Sequence, residues 1–277
     1  MTINCKGTLI DLRKPKVMGI LNLTPDSFYD GGKFKDDAPI LKQVERMLGE
    51  GATFVDMGAY SSRPGAEHVP EDEELQRMLP IIELILKNFP ETFISIDTFR
   101  SKVASESLQR GAALINDISA GNLDTNMFAT VAKYQVPYIM MHLKGTPQSM
   151  QKKAVYDDLI KDLRHYFSEK MSKATEHKIN DLIIDPGFGF AKTTEQNYTL
   201  LNQLDLFKTF EVPLLIGLSR KSMIYKVLKS TPSDALNGST ALHTVALLKG
   251  ANILRVHDVK EAKECVMLIE ALKANAL

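Results

Sequence analysis

Eight short apolar or β-branched runs recur along the chain: KVMGILNL (16–23), TFVDMG (53–58), TFISIDT (92–98), AALINDI (112–118), VPYIMMH (136–142), DLIIDPG (181–187), VPLLIGLS (212–219) and ANILRVHD (251–258). They are nearly continuous rather than alternating, which is the pattern of strands buried on both faces of a parallel sheet. Helical spacing fills the intervals between them. Leu75, Met78, Leu79, Ile82, Ile85, Leu86 and Phe89 mark one face of a helix opened by Glu71, Asp72 and Glu73. Ile40, Val44, Met47 and Leu48 repeat that spacing before Gly51, and Leu159, Leu163 and Phe167 carry it through the longest interval. Leu242, Val245, Ala246 and Ala251 bracket another segment ending near Gly250. Eight βα units in roughly 250 residues is the arithmetic of an α/β fold of the (β/α)8 TIM barrel type, whereas a doubly wound sheet more often has fewer strands and a second domain. No Pro/Gly/Ser-rich linker interrupts the alternation. Residues 1–277 are therefore expected to form a single domain, with residues 1–14 as a short N-terminal hairpin, turning at Gly7, that closes the barrel bottom.

Composition narrows the class. With 44% hydrophobic and 25% charged residues in 277, the chain has the material for a sizeable core, which argues against disorder. Its 34 Lys+Arg balance 34 Asp+Glu, so no overall field gathers nucleic acid or anionic membrane, and any anion site must be local. Cys5 and Cys265 sit at opposite ends without a CxxC partner, which argues against a zinc site or disulfide scaffold and suits a reducing compartment. No apolar run approaches the ~18 residues of a membrane span, so a soluble cytoplasmic protein is expected. GxxxxGK[ST], HExxH, GxSxG and EF-hand patterns are missing, which removes support for nucleotide-loop, protease, hydrolase and calcium readings. DPGFGFAKT (185–193) reads instead as a tight turn at Gly187 and Gly189, with Phe188 and Phe190 as loop anchors or a ligand wall.

In this barrel type the chemistry sits at the C-terminal ends of the strands. Those ends carry Asn22, Asp56, Asp97, Asn116, His142, Asp185, Ser219 and the pair Arg255 and His257. Each alone has a structural explanation as a helix cap or turn residue. Eight polar strand ends facing one mouth argue for a pocket. Asp97, Asn116 and Asp185 supply acceptors and an amide suited to a flat heterocycle with ring N–H and amino groups. Arg220 and Lys221 in GLSRKSMI are expected in the first turn of a helix, where the macrodipole disfavours cations unless an anionic ligand or a neighbouring carboxylate offsets the cost. Arg63, Arg255, His257 and Asn22 are expected to converge on the same anion position. The loops TPDSFYDGGKF (24–34) and SSRPGAEHVPEDEE are long enough to serve as lids.

Taken together, GILNLTPDSFYDGG, SSRPGA, SIDTFR, LINDISAG, MHLKGTPQSMQ, DPGFGFAKT, GLSRKSMI and RVHD resemble the dihydropteroate synthase family across nearly the whole chain and in that family's order. The resemblance implies a transferase of folate biosynthesis that joins a dihydropterin methyl diphosphate to p-aminobenzoate, releasing diphosphate. It implies that Asp97, Asn116, Asp185 and Lys221 hold the pterin, with Met141 lining its pocket. Asn22, Ser62, Arg63, Arg255 and His257 would meet the diphosphate, with Asn22 helping to position a bound Mg²⁺. The aminobenzoate would lie near Phe28, Pro64, Phe190, Arg220 and Ser222, its carboxylate facing a helix opened by Ser219. Asp30, Lys221 and Arg255 would serve catalysis. A homodimer sensitive to sulfonamide mimics is implied as well. Two departures stand out: Gly58, Ala59, Tyr60, Ser61 and Ser62 replace the family's usual GGEST, and Tyr29 stands where serine is common. Tyr29 and Tyr60 are expected to enlarge both loops.

Three rivals share parts of this pattern. A methyl-folate:corrinoid transferase would share Asp97, Asn116 and Asp185 but has no need of SRKS and RVHD. An aldolase would use Lys221 as a Schiff-base amine. A silent pterin-binding protein would bind without turnover.

Overall fold

The structure, a computed structural model, describes residues 1–23, 37–60 and 68–275, together with the backbone of 29–30 and 33–34. Its elements run β1 (Thr2–Cys5), β2 (Thr8–Asp11), β3 (Lys16–Asn22), β4 (Tyr29–Asp30), β5 (Lys33–Phe34), α1 (Ala38–Gly49), β6 (Phe54–Gly58), α2 (Glu71–Asn88), β7 (Phe93–Asp97), α3 (Ser101–Gln109) and β8 (Leu114–Asp117). They continue with α4 (Met127–Tyr134), β9 (Tyr138–Met141), α5 (Leu159–Glu176), β10 (Leu182–Asp185), α6 (Thr194–Asn202), β11 (Leu215–Ile216), α7 (Ser222–Tyr225), α8 (Leu236–Leu248), β12 (Ile253–Val256) and α9 (Val259–Ala274).

Eight strands pair in parallel in the order β10, β9, β8, β7, β6, β3, β12, β11. A parallel bridge between Ile184 and Leu214, with the Ile184 N–H donating to the Pro213 carbonyl at 3.0 Å, joins the two ends into a closed barrel. Each of the eight apolar runs contains one of these strands. β11 is the shortest, because Asn252 takes over part of the ladder there: its Oδ1 accepts the Leu214 N–H at 2.9 Å, while the Asn252 N–H donates to the Leu214 carbonyl at 2.9 Å. The antiparallel pair β4–β5, Tyr29 opposite Phe34, lies in a stretch where only a loop was expected.

The strands separate two apolar layers, as their period of two requires. Along β10, Leu182 and Ile184 pack outward under the helices, whereas Ile183 points into the barrel. Met18, Phe54, Leu114, Ile139, Ile183, Leu215 and Ile253 form that inner cluster with Ile3, Cys5, Ile10 and Leu12 from the β1–β2 hairpin. The hairpin thus plugs the barrel from below. Lys6 and Gly7 both take positive φ, 52° and 84°, the conformation whose twist suits a two-residue hairpin turn. Asp181 Oδ2 accepts the Asn4 N–H at 3.0 Å and the Asn252 amide donates to the Leu12 carbonyl at 2.9 Å, tying the plug to the barrel rim. No helix among the described residues is long and apolar enough to cross a membrane.

Candidate active site at the barrel mouth

At the opposite end the strands finish on polar residues, and these meet. Arg255, at the end of β12, donates from Nε to Asp56 Oδ2 of β6 and from Nη2 to Asp97 Oδ2 of β7, both at 2.6 Å. The Asn116 amide of β8 donates to Asp56 at 3.2 Å. Asp56 is fully buried, and the Arg255 guanidinium and the Asn116 amide supply the hydrogen-bonding partners that a buried carboxyl group requires. Burial raises the Asp97 carboxyl despite the pull of Arg255, and Asp56 beside it pushes the same way. Burial opposes the charge on Arg255, but Asp56 and Asp97 outweigh it and keep the guanidinium protonated. Gly58 leaves room for this arrangement: a Cβ there would lie 3.3 Å from that of Asp97.

Asp185, at the end of β10, is buried and accepts the Gly187 N–H at 2.8 Å. Burial raises its carboxyl, and the nearby Lys221 ammonium works against that. Lys221 reaches over Gly189 to the Phe188 carbonyl, with its Nζ 4.6 Å from the centre of the Phe190 ring. Burial pushes its ammonium down to about 8. Met141 packs with Ile118, Leu143, Met150 and Ala191 beside this loop, and a Cβ on Gly187 would approach it to 3.4 Å. Asp97, Asn116, Met141, Asp185, Phe190, Lys221 and Arg255 therefore line one mouth.

The remaining expected residues are placed as follows. Asn22 ends β3, partly exposed and in register with Gly58. His257 follows β12, its Nδ1 3.1 Å from Ser219 Oγ, which links the ends of β11 and β12. Phe28, Ser62, Arg63 and Pro64 lie outside the described residues, as does the side chain of Asp30.

Two expectations are corrected. Arg220 and Lys221 do not occupy the first turn of a helix: α7 starts at Ser222, is one turn long, and has Lys221 as its cap. Arg220 takes a left-handed backbone, φ 55°, and its guanidinium turns back to bind Asp258 through two contacts of 2.8 Å and the carbonyls of Pro232 and Ser233 at 3.0 and 2.8 Å. The neighbouring Asp258 carboxylate compensates this cation. Tyr60, expected to enlarge its loop, is instead buried: its ring meets the edge of Phe99 at 5.0 Å and its hydroxyl accepts from the Gln148 amide at 2.9 Å.

Sequence reasoning missed three supporting groups. Asp117 accepts from the Ser119 N–H and hydroxyl, the Gly121 N–H and the Tyr138 hydroxyl, which shapes the NDISAG turn behind Asn116. Glu74 receives Thr98 at 2.7 Å and Arg100, locking α2 behind Asp97. Lys192, buried in the DPGFGFAKT loop, contacts His142 Nδ1 at 3.1 Å. Burial, with Lys192 beside it, holds the His142 ring far below its usual value, so the ring is neutral and accepts at Nδ1. The signal for Lys192 was a lysine at the end of a glycine-rich apolar loop.

A closed (β/α)8 barrel with carboxylates, amides and two cations crowded at its C-terminal mouth defines an enzyme that takes a hydrogen-bonding heterocycle next to an anion. Residues 18–257 match the family of pterin binding enzymes. The chain is 43% identical to dihydropteroate synthase of Escherichia coli (strain K12) over 98% of its own length and 96% of that protein's. It superposes on Yersinia pestis dihydropteroate synthase in a sulfonamide drug complex with a TM-score of 0.92 and 42% identity, covering 99% and 100% of the two chains. Xanthomonas albilineans dihydropteroate synthase with 4-aminobenzoic acid gives 0.91 and 36%, covering 99% of each. The chain belongs to the pterin-binding enzyme family.

Proposed function

We infer that the chain is a transferase of folate biosynthesis, condensing 6-hydroxymethyl-7,8-dihydropterin diphosphate with p-aminobenzoate to give 7,8-dihydropteroate and diphosphate. The observation that carries this is the meeting of Asp97, Asn116 and Asp185 with Arg255 and Lys221 at one mouth. Asp185, Asp97 and Asn116 face the donors and acceptors of the pterin ring, Lys221 donates to it, and Met141 packs on its face. Such a fixed polar frame holds the methylene carbon where the arylamine nitrogen reaches it. The C–O bond to diphosphate breaks as the C–N bond forms, and the amine releases a proton. Charge on the departing diphosphate is neutralised by Arg255 and Arg63, with Ser62, His257 and Asn22 contributing hydrogen bonds. Asp30, the first-loop carboxylate, serves catalysis in this reading.

Mg²⁺ suits this donor set. Asn22 offers one hard carbonyl oxygen at the mouth, and diphosphate and water supply the other oxygens that such an ion prefers. When bound it supplies neutralising charge at the leaving group.

The arylamine lies by Phe28, Pro64, Phe190 and Ser222, beside the turn that Arg220 braces from behind. Sulfonamide mimics compete there. Exposed Leu248 on α8 and Met267, Leu268 and Leu272 on α9 support a homodimer. Residues 1–277 act as a single domain working in the cytoplasm, its first 14 residues closing the barrel bottom.

A diphosphate-release assay tests the activity. Release should require dihydropterin diphosphate, Mg²⁺ and p-aminobenzoate together, and release that ignores the arylamine would overturn it.

A further inference from the structure

Lys192 has no part in the reaction as derived above, yet it is only 3% exposed in the loop that faces the pterin. Its three ammonium hydrogens meet three acceptors: His142 Nδ1 at 3.1 Å, the Gly187 carbonyl at 3.0 Å and the Phe190 carbonyl at 3.1 Å. Among the described residues no carboxylate lies within ion-pair distance of it. Burial pushes its ammonium down to about 7 while Asp185 pulls the other way, so a buried lysine is a costly way to fix a turn.

Its two carbonyl partners show what the turn is for. They bracket Phe188, whose carbonyl accepts from Lys221, and the second belongs to Phe190, whose ring faces the Lys221 ammonium. From the other side Asn197 Oδ1 accepts the Gly189 N–H at 2.7 Å. Lys192 thus holds both ends of a four-residue turn that carries both of the groups against which Lys221 rests.

We propose that Lys192 is a positioning residue for the pterin subsite, acting through Lys221 by holding the 187–190 turn in place. This rests on the reading of Lys221 as a pterin contact. Without the buried ammonium, the carbonyls of Gly187 and Phe190 lose their shared partner, the turn relaxes, and Lys221 settles away from the ring it serves.

A double-mutant cycle on the full chain tests the proposal, with 6-hydroxymethylpterin as the calorimetric probe and thermal melting as the check on folding. Lys192→Met should weaken binding about ten- to a hundredfold, the scale of a small misplacement of a binding group. Lys221→Met should weaken it as well. The double variant should bind no worse than Lys221→Met within about a factor of two, because a residue that acts through Lys221 has nothing left to position. Effects that multiply, or a Lys192→Met variant that binds as the parent does, would overturn the proposal. Parent-like binding by Lys221→Met would overturn the reading beneath it, a result distinguishable from the first two. Should Lys192→Met fail to fold, Lys192→Leu, which fills part of the same space and has no donor, completes the same cycle under the same criteria.

Discussion

The Arg255 guanidinium and the Asp97 carboxylate meet at 2.6 Å although 158 residues separate them in the chain. Closing of the barrel brings β12 and β7 within reach, and Asp56 on β6 completes a carboxylate–guanidinium–carboxylate bridge. Arg255 is therefore already spent on two partners before any ligand arrives. Its Nη1 is the nitrogen left without a protein partner among the described residues, and so is the edge it can offer a departing anion.

Arg255→Ala removes that edge and strands Asp56 in the interior. The expected result is a loss of kcat/KM on the order of a hundredfold or more, the cost of deleting one charge-stabilising donor. Melting should fall too, by about 3 kcal/mol of stability for an uncompensated buried carboxylate. Adding Asp56→Asn should recover part of the melting temperature and none of the activity. Steady-state kinetics beside calorimetric melting reads both, and unchanged kcat/KM would take Arg255 out of the mechanism.

Lys221 supplies a pH test with a definite sign. Burial lowers its ammonium from the ordinary range to about 8, so the folded protein releases this proton before the unfolded chain does. Its contribution opposes folding below about 8 and fades as pH rises from there to the ordinary lysine value. For function the sense is reversed, because the charged ammonium is the better donor. Pterin affinity should decline above about pH 8, and Lys221→Arg, charged throughout, should lack that limb. A limb that persists in Lys221→Arg would assign it to another group.

The strands were legible because each is apolar on both faces, and a run such as DLIIDPG has no other place in a folded chain. The helices followed from spacing, and α2 opens at Glu71 as its acidic first turn implies. Asp97, Asn116 and Asp185 were legible because a strand end in this architecture has only one mouth to face. Arg220 was not, because its partner Asp258 lies 38 residues away and nothing local announces the pairing. Tyr60 misled for a related reason: its bulk was read against the loop, whereas Phe99 and Gln148, from other parts of the chain, make a pocket for it. Local pattern specifies elements, while pairings between polar side chains wait on closure of the barrel.

Gly187→Ala tests the turn beside Asp185. This residue takes φ 73°, and an added Cβ would stand 2.3 Å from the His142 carbonyl oxygen, a backbone atom that has no freedom to move aside. The left-handed conformation alone costs a non-glycine residue roughly 1 kcal/mol, and the clash adds to it. Relief by shifting the turn breaks the Gly187 N–H bond to Asp185. Pterin binding should fall at least tenfold while far-ultraviolet circular dichroism stays unchanged. Parent-like affinity would show that the turn tolerates movement.

Ile3 lies at the far end of the barrel from this chemistry, 1% exposed and packed in the inner cluster with Phe54, Ile183 and Ile253. Ile3→Ala leaves a cavity beneath the strands, with an expected loss of about 2–4 kcal/mol. At about 2–4 °C per kcal/mol for a chain of this size, melting should drop by roughly 5–15 °C. The mouth is built from strand ends fixed by their own ladder and by the Arg255 bridge, none of which involves the hairpin. At a temperature well below the new midpoint, kcat/KM should therefore match the parent. A loss of activity at full folding would mean that the plug transmits its packing through the barrel to Asp56 and Asp97, and that stability and catalysis in this fold are not separated along the strand axis.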